Sequence, residues 1–302
     1  MRTPFFLASL GLLASAADPQ PSGAPGGNTF DCGTGTQSAD QSFLDTIQQL
    51  HDDKPKGSLA ARAAELAARD DPVKIQSIFH IVMTNAAKDS ITNAMPQAQL
   101  DSMNAAYNPY NIFFELQNVT WNTNDAWAVG KKDDDTDMKK QLRQGTYNTL
   151  NLYFQTDLSG GVLGRCTLPS AIGNGKGDAT VYAGDGCNIN AYTMPDGLMD
   201  GFNKGKTAVH ETGHWLGLLH TFEGYSCDGP GDYIDDTPVE STATDGCPTD
   251  PKKQSCPAQQ KAGESDPIHN YMDYSIDDCY EGFTDLQVQR MRSMWSMFRD
   301  GN

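Results

Sequence analysis

One segment, Thr207–Phe222, reads TAVHETGHWLGLLHTF and constrains the 302-residue chain more than any other. On a helix His210 and His214 stand four positions apart, about 40° from superposition, so both imidazoles can reach one ion. Glu211, one position round, can address a water on that ion without joining its shell. Gly217 lets the chain leave the helix in a conformation that a Cβ would resist, and His220 can then return as a third ligand. Three neutral nitrogens with one position left open describe a catalytic rather than a structural zinc. At this chain's own residue frequencies the five fixed positions of H-E-x-x-H-x-x-G-x-x-H arise by chance in roughly 3 of 100,000 such chains. Surface histidines on a helix are therefore the poorer reading.

The rest of the chain sets the context for that site. Its length fits one large or two medium domains, and 38% hydrophobic residues suffice for a core. A formal net charge of -17 repels phosphate backbones and anionic membranes, so neither nucleic acid nor membrane is an expected partner. Residues 1–17 read as a signal peptide, with Arg2, the apolar run Phe5 to Leu13 and the cleavage word Ala14-Ser15-Ala16. No later run approaches the roughly 20 apolar residues of a membrane span, so the expectation is a secreted, extracellular protein. Secretion permits disulfides, and the cysteines number seven: Cys32, Cys166, Cys187, Cys227, Cys247, Cys256 and Cys279. Cys32 lies far from the other six and is the odd one.

Along the chain, Asp18 to Thr36 reads as loop or linker, followed by helices at Asp40 to Leu50 and Ser58 to Ala68. A composition shift at Asp70-Asp71-Pro72 divides a pro-segment, 18–70, from a catalytic domain, 71–302. Val73 to Met83 predicts an interior strand, Pro96 to Tyr107 a helix, and Asn111 to Trp121 and Thr149 to Phe154 two more strands flanking a helix at Asp137 to Gln144. This is an α/β layer. Asp178 to Ala183 reads as a short edge strand and a candidate for pairing with extended substrate. Residues 222–283 lack periodicity, so disulfides or metal must order them. A helix from Thr284, with Thr284 and Gln287 as capping box and Val288, Met291, Trp295 and Phe298 as its buried stripe, ends the chain. His51, His80 and His269 read as structural or solvated.

The long zinc motif together with Met272 in HNYMDY resembles the metzincin zinc proteases. The words HETGHWLGLLHTF, DTPVE (236–240), DPIHNYMDY (266–274) and GFTDLQ (282–287) resemble the pappalysin subfamily, specifically fungal secreted extracellular metalloproteases. The resemblance implies a twisted, mostly parallel sheet with two long helices in an upper subdomain, 71–219, and an irregular, disulfide-stapled lower subdomain, 220–302, with a C-terminal helix. It implies one Zn2+ on His210, His214 and His220, Glu211 as general base, Met272 as a hydrophobic floor and Tyr274 as stabiliser of the tetrahedral intermediate. It implies a monomeric endopeptidase acting on protein or peptide substrates, in nutrient digestion and also in virulence. It further implies the pairs Cys227–Cys256 and Cys247–Cys279, leaving Cys166 with Cys187, among fifteen pairings that sequence alone permits.

Other sites follow from the residues. A thiolate binds zinc strongly, so unpaired Cys32, ahead of a cleavage expected between Ala60 and Pro72, after Arg62 or Arg69, reads as a latency switch; a free or intermolecular thiol is the competing reading. Family members carry a similar C-G-T word. Asp228, Asp232, Asp235 and Asp236 form a candidate Ca2+ loop, against a plain solvated acidic loop. Asn118 heads the only N-glycosylation sequon, usable if its strand ends before it. A non-catalytic binding protein would show loss of Glu211 or a ligand, and an exopeptidase would need a feature that captures a chain terminus; neither sign is present.

Overall fold

The computed structural model describes residues 30–52, 71–171 and 179–301. The expected signal peptide, the helix at Ser58 to Ala68 and the activation cleavage sites at Arg62 and Arg69 lie outside them. The order of elements is α1 (Gln41–Asp52), β1 (Val73–Met83), α2 (Met95–Tyr107), β2 (Ile112–Thr123), α3 (Asp125–Val129), α4 (Lys132–Leu142), β3 (Leu150–Gln155), β4 (Gly164–Cys166), α5 (Ala179–Gly184), β5 (Cys187–Asn190), α6 (Lys206–Trp215) and α7 (Asp285–Met294). No helix among the described residues is long and apolar enough to cross a membrane.

Five strands form one sheet in the order β2-β1-β3-β5-β4. β1 pairs in parallel with β2 and β3, β3 in parallel with β5, and only β4 runs antiparallel, at the edge. The central position of β1 explains why VKIQSIFHIVM is buried on both parities. Ile75, Phe79 and Ile81 join Met103, Tyr107, Val209 and Trp215 of α2 and α6 in the main core. Val82 faces the opposite layer with Ala128 and Met138, and Tyr153 of β3 joins them there. His80 is structural on that face, stacked on Tyr153 and held between Thr120 and Asn151.

One local expectation is corrected, and one condition proves unnecessary. Residues 179–184 form a helix rather than an edge strand, because Tyr182 is held under the Arg143 guanidinium and Lys139 Nζ donates to the Gly184 carbonyl. Tertiary contact overrides the strand propensity of Thr-Val-Tyr. β2 does not end before Asn118 but continues to Thr123; instead, the register against β1 slips at Gln117. That bulge reverses the parity and leaves Asn118 exposed.

Beyond α6 the chain is mostly turns. The Sγ atoms of Cys227–Cys256 and Cys247–Cys279 are joined there, and Cys166–Cys187 joins β4 to β5. A buried polar network supplements this sparse core: Thr221 Oγ1 donates to Glu240, Lys253 Nζ lies between Glu240 and Asp266, and the Thr244 amide donates to Asp273. The capping box of Thr284 and Gln287 opens α7. At the C-terminal end, the fully buried Arg299 donates to the carbonyls of Trp215 and Tyr147 and to Asp185. Burial would raise the Asp185 pKa, but Arg299 and Arg143 hold it below the ordinary carboxylate value.

Arg299→Met leaves a buried carboxylate short of its partner, so unfolding stability is expected to fall by about 3–5 kcal/mol. Because the Asp185 pKa is depressed on folding, this difference is present above the ordinary value of 3.8 and shrinks as pH falls through the folded pKa. Denaturant melts of oxidised protein at neutral and acid pH check both points.

Candidate metal centre and active site

α6 carries the first half of the site. It packs against β4, β5 and α2 and is buried along its whole length from Thr207 to Trp215. It ends at Leu216, after which Gly217 takes φ +90, and a side chain there would strike Met294. This turn sends the chain back so that His220 faces His214. Met272 lies fully buried beneath, where a side chain at Gly213 would meet its sulfur.

The nitrogens converge. His214 Nε2 lies 3.1 Å from both His210 Nε2 and His220 Nε2. With Cys32 Sγ, these atoms all lie within 4.8 Å of one another. His210 Nδ1 is 2.7 Å from the Tyr271 carbonyl and His214 Nδ1 is 2.9 Å from that of Leu218. A carbonyl only accepts, so each Nδ1 carries the proton and each Nε2 presents a lone pair. Burial, then the neighbouring imidazoles, push the pKa values of His210 and His214 well down, so these rings are neutral. Lone pairs held face to face at 3.1 Å repel unless a cation lies among them, and the donor set therefore fits a metal of zinc's softness.

Glu211 is fully buried beside the cluster, and neither of its carboxylate oxygens makes a full hydrogen bond among the described residues. Burial raises its pKa to about 8, with the nearby Cys32 thiol and Thr34 hydroxyl pulling only partly the other way. Gly164 is glycine for want of room, since a Cβ there would collide with this carboxylate. Tyr274 Oη accepts from the Cys32 amide at 3.0 Å and lies 3.3 Å from His220 Nε2.

The stretch 30–36, expected as linker, is instead fixed across the site. The Leu163 amide donates to Asp31 O and the Gly33 amide to Gly164 O, so this stretch pairs in parallel with the free edge of β4. Thr34 exchanges hydrogen bonds with the backbone of Cys166. Buried Cys32 is the free cysteine among the described residues, with Sγ 3.5 Å from His214 Nε2. Burial, and after it the charge of Glu211, push the thiol pKa well up in the absence of metal.

Glu223 escaped the sequence reading, as did Thr34. One oxygen of Glu223 lies 3.5 Å from His220 Nδ1, and the other accepts from the amide and hydroxyl of Thr36. The signal available in sequence was an acidic residue three positions after the third histidine. No three of Asp228, Asp232, Asp235 and Asp236 come within reach of one ion among the described residues. Asp232 holds Thr237, Asp236 accepts from Thr284 and Leu286 at the start of α7, Asp235 lies 3.8 Å from His51, and Asp228 is exposed. His269 donates toward the Cys279 carbonyl, and Asn118 donates to Gln144.

Residues 132–296 match the family Peptidase_M43, described as pregnancy-associated plasma protein-A. An extracellular metalloprotease of Aspergillus fumigatus is 46% identical over 259 residues, 76% of this chain and 78% of that protein. One of Neurospora crassa is 40% identical over 293 residues, 95% and 96% of the two chains. Among solved structures, mature mirolysin of Tannerella forsythia in complex with a cleaved peptide is 26% identical with TM-score 0.62, covering 75% of this chain and 92% of that one. A promirolysin mutant of the same organism shares the fold, with TM-score 0.64 over 87% and 93% of the two chains.

Zinc titration with a competing chelator is expected to find one ion on the wild-type chain and none on His214→Ala. Glu211→Gln should bind zinc like wild type, because Glu211 stands outside the donor set. Glu223→Gln should weaken binding by about 10–100-fold through the loss of support behind His220.

Proposed function

This chain belongs to the Peptidase_M43 family, the pappalysin metalloproteases, and from that premise we propose that it is a secreted zinc endopeptidase made as a latent precursor. The observation that supports this most strongly is the convergence of three imidazole nitrogens beside the buried, weakly bonded carboxylate of Glu211. His210, His214 and His220 would hold the zinc. Once bound, such an ion with an open position polarises a peptide carbonyl and acidifies water.

The chain's own residues do the remainder. Glu211 takes a proton as general base and returns it to the departing amine. Tyr274 donates its hydroxyl hydrogen to the developing oxyanion. Met272 forms the apolar floor under the imidazoles. Substrate lies extended along the β4 edge, where the Leu163 amide just before the strand and the Gly164 carbonyl at its start already pair with a peptide backbone in this structure.

Latency is assigned to Cys32. Its thiolate would take the fourth position on zinc, which stabilises the charged form that burial alone disfavours. Residues 1–17 are assigned as signal peptide, 18–70 as pro-segment and 71–302 as catalytic domain, cut between Ala60 and Pro72, with upper and lower parts meeting at about residue 220. Exposed Asn118 is assigned as a glycosylation site. The three cysteine pairs are assigned as disulfides of the secreted form, a monomer that digests extracellular protein for nutrition and serves virulence by the same activity.

Peptide hydrolysis by the zinc-loaded full chain tests the scheme. If thiol closure leaves a tenth or fewer of the precursor molecules open, Cys32→Ala gains about tenfold or more over wild type before any cleavage. Adding Glu211→Gln should then remove about 10²–10⁴-fold of that activity. Equal activity of the Cys32→Ala and wild-type precursors contradicts the latency assignment, and full activity with Glu211→Gln contradicts the base.

A further inference from the structure

His220 and Tyr274 both lie in 216–276, a stretch that contains no helix and no strand. Regular structure therefore does not fix them. A buried cage of oxygens round one ammonium stands in its place. Lys253 Nζ donates to Glu240 Oε1 at 2.5 Å and to Thr244 Oγ1 at 3.1 Å, lies 3.0 Å from Asp266 Oδ2, and donates to the Thr242 carbonyl. The side chains of Glu240 and Asp266 are fully buried and that of Lys253 is 18% exposed. Burial alone would lower the Lys253 pKa, but its carboxylate partners, Glu240 first, outweigh this and raise it, so the ammonium stays charged.

Two chains of hydrogen bonds run from the cage to the metal centre. Glu240 turns its other oxygen to Thr221, whose hydroxyl donates to it at 2.7 Å, and the Thr221 amide donates to the Met272 carbonyl at 3.2 Å. The residue next to His220 is thus held on two sides. Thr244 accepts from Lys253 with its hydroxyl, and its amide donates at 3.0 Å to Asp273 Oδ1, the same oxygen that accepts the Tyr274 amide at 2.8 Å. The two chains meet where Tyr274 Oη lies 3.3 Å from His220 Nε2. Resting on the protease reading above, we propose that Lys253 is a positioning residue of the reaction: acting through Glu240 and Thr221 on one side and through Thr244 and Asp273 on the other, its ammonium sets His220 against Tyr274.

A charged group suits this place for a physical reason. Burial, and after it the charge of Asp273, push the Glu240 pKa up to about 8, and burial raises that of Asp273, while Lys253 pulls against both. Without the ammonium, Glu240 and Asp266 would be buried carboxylates stripped of their ion-pair partner, which must take up protons or rearrange. Either response loosens the grip on Thr221. The competing reading is that Lys253 only stabilises this half of the fold, with the disulfides Cys227–Cys256 and Cys247–Cys279 setting the site. Lys253 would then change the folded fraction and leave the folded molecules unaltered.

The test uses the full chain in a Cys32→Ala background, with zinc affinity read by chelator competition and kcat and KM read per zinc-loaded molecule. Lys253→Met is expected to weaken zinc binding about tenfold and to lower kcat about tenfold with KM little changed. Where Tyr274→Phe is already present, adding Lys253→Met should lower kcat by less than about threefold, because the two act in one chain. In Lys253→Ala, propylammonium chloride should recover most of both losses, whereas tetramethylammonium chloride, a cation with no hydrogen to donate, should recover neither. Thr221→Val keeps the ammonium and its carboxylates and cuts one link, so it decides the matter should the Lys253 variants not fold: zinc should bind about tenfold more weakly. Wild-type zinc affinity and kcat in folded Lys253 variants, full additivity with Tyr274→Phe, equal action of the two added cations, or wild-type zinc affinity in Thr221→Val overturns the assignment and leaves the protease reading intact. Absence of chelator-sensitive hydrolysis by the Cys32→Ala chain itself overturns the protease reading, and zinc affinity then decides the part of Lys253 at His220.

Discussion

The structure is organised around a repulsion. Three imidazole nitrogens point their lone pairs at one another, His214 Nε2 sitting 3.1 Å from each of the other two, in an interior where burial keeps His210 and His214 neutral. Only a cation turns that arrangement from a cost into a gain. Much else can be understood as the means of holding it. The carbonyls of Tyr271 and Leu218 fix two of the rings, Gly217 turns the chain so that His220 can return, and Met272 closes the site from below. The Arg299–Asp185 pair ties the C-terminal end of the chain to the last turn of α6. Thr221, immediately after His220, anchors to Glu240 and so joins the site to the polar network of the irregular half.

The same geometry explains how a peptide of the chain itself can cover the site. β4 is short, lies at the end of the sheet and pairs with β5 on one side only, so its other side accepts another backbone. Residues 31–34 take that position, Cys32 reaches the imidazoles, and Glu223 links Thr36 to the back of His220. One carboxylate thus touches both a ligand and the covering segment. The surroundings of His220 and the covering of the β4 edge are therefore linked through one side chain.

Much of this was legible in the sequence, and the exceptions are instructive. β1 was readable because an eleven-residue run that is apolar on both parities admits few other fates, and α7 because its capping box is a local hydrogen-bond device. The spacing of His210, His214 and His220 translates directly into geometry. β4 escapes sequence patterning because three residues in a Gly-rich stretch have no periodicity, and the strand propensity at 179–183 misleads because Tyr182 packs under Arg143 in a helix. The bulge at Gln117, which reverses the face of Asn118, left no pattern in composition. Thr34 and the second contact of Glu223 are hidden for a different reason. Thr34 meets Cys166 and Glu223 meets Thr36 across more than a hundred positions, which local spacing does not encode. In the acidic loop at 228–236 no three carboxylates meet within reach of one ion among the described residues, so density in sequence is a weak guide to spacing in the fold.

The central claim is that the three histidines and Cys32 together hold one metal ion in the full chain. X-ray absorption at the zinc edge of the purified precursor measures that donor set directly. The account predicts a shell of nitrogen scatterers at about 2.0 Å and one sulfur at about 2.3 Å, with the sulfur lost and the nitrogens retained in Cys32→Ala. A zinc site with only nitrogen and oxygen neighbours in the wild-type precursor would contradict it, as would a sulfur signal that survives Cys32→Ala.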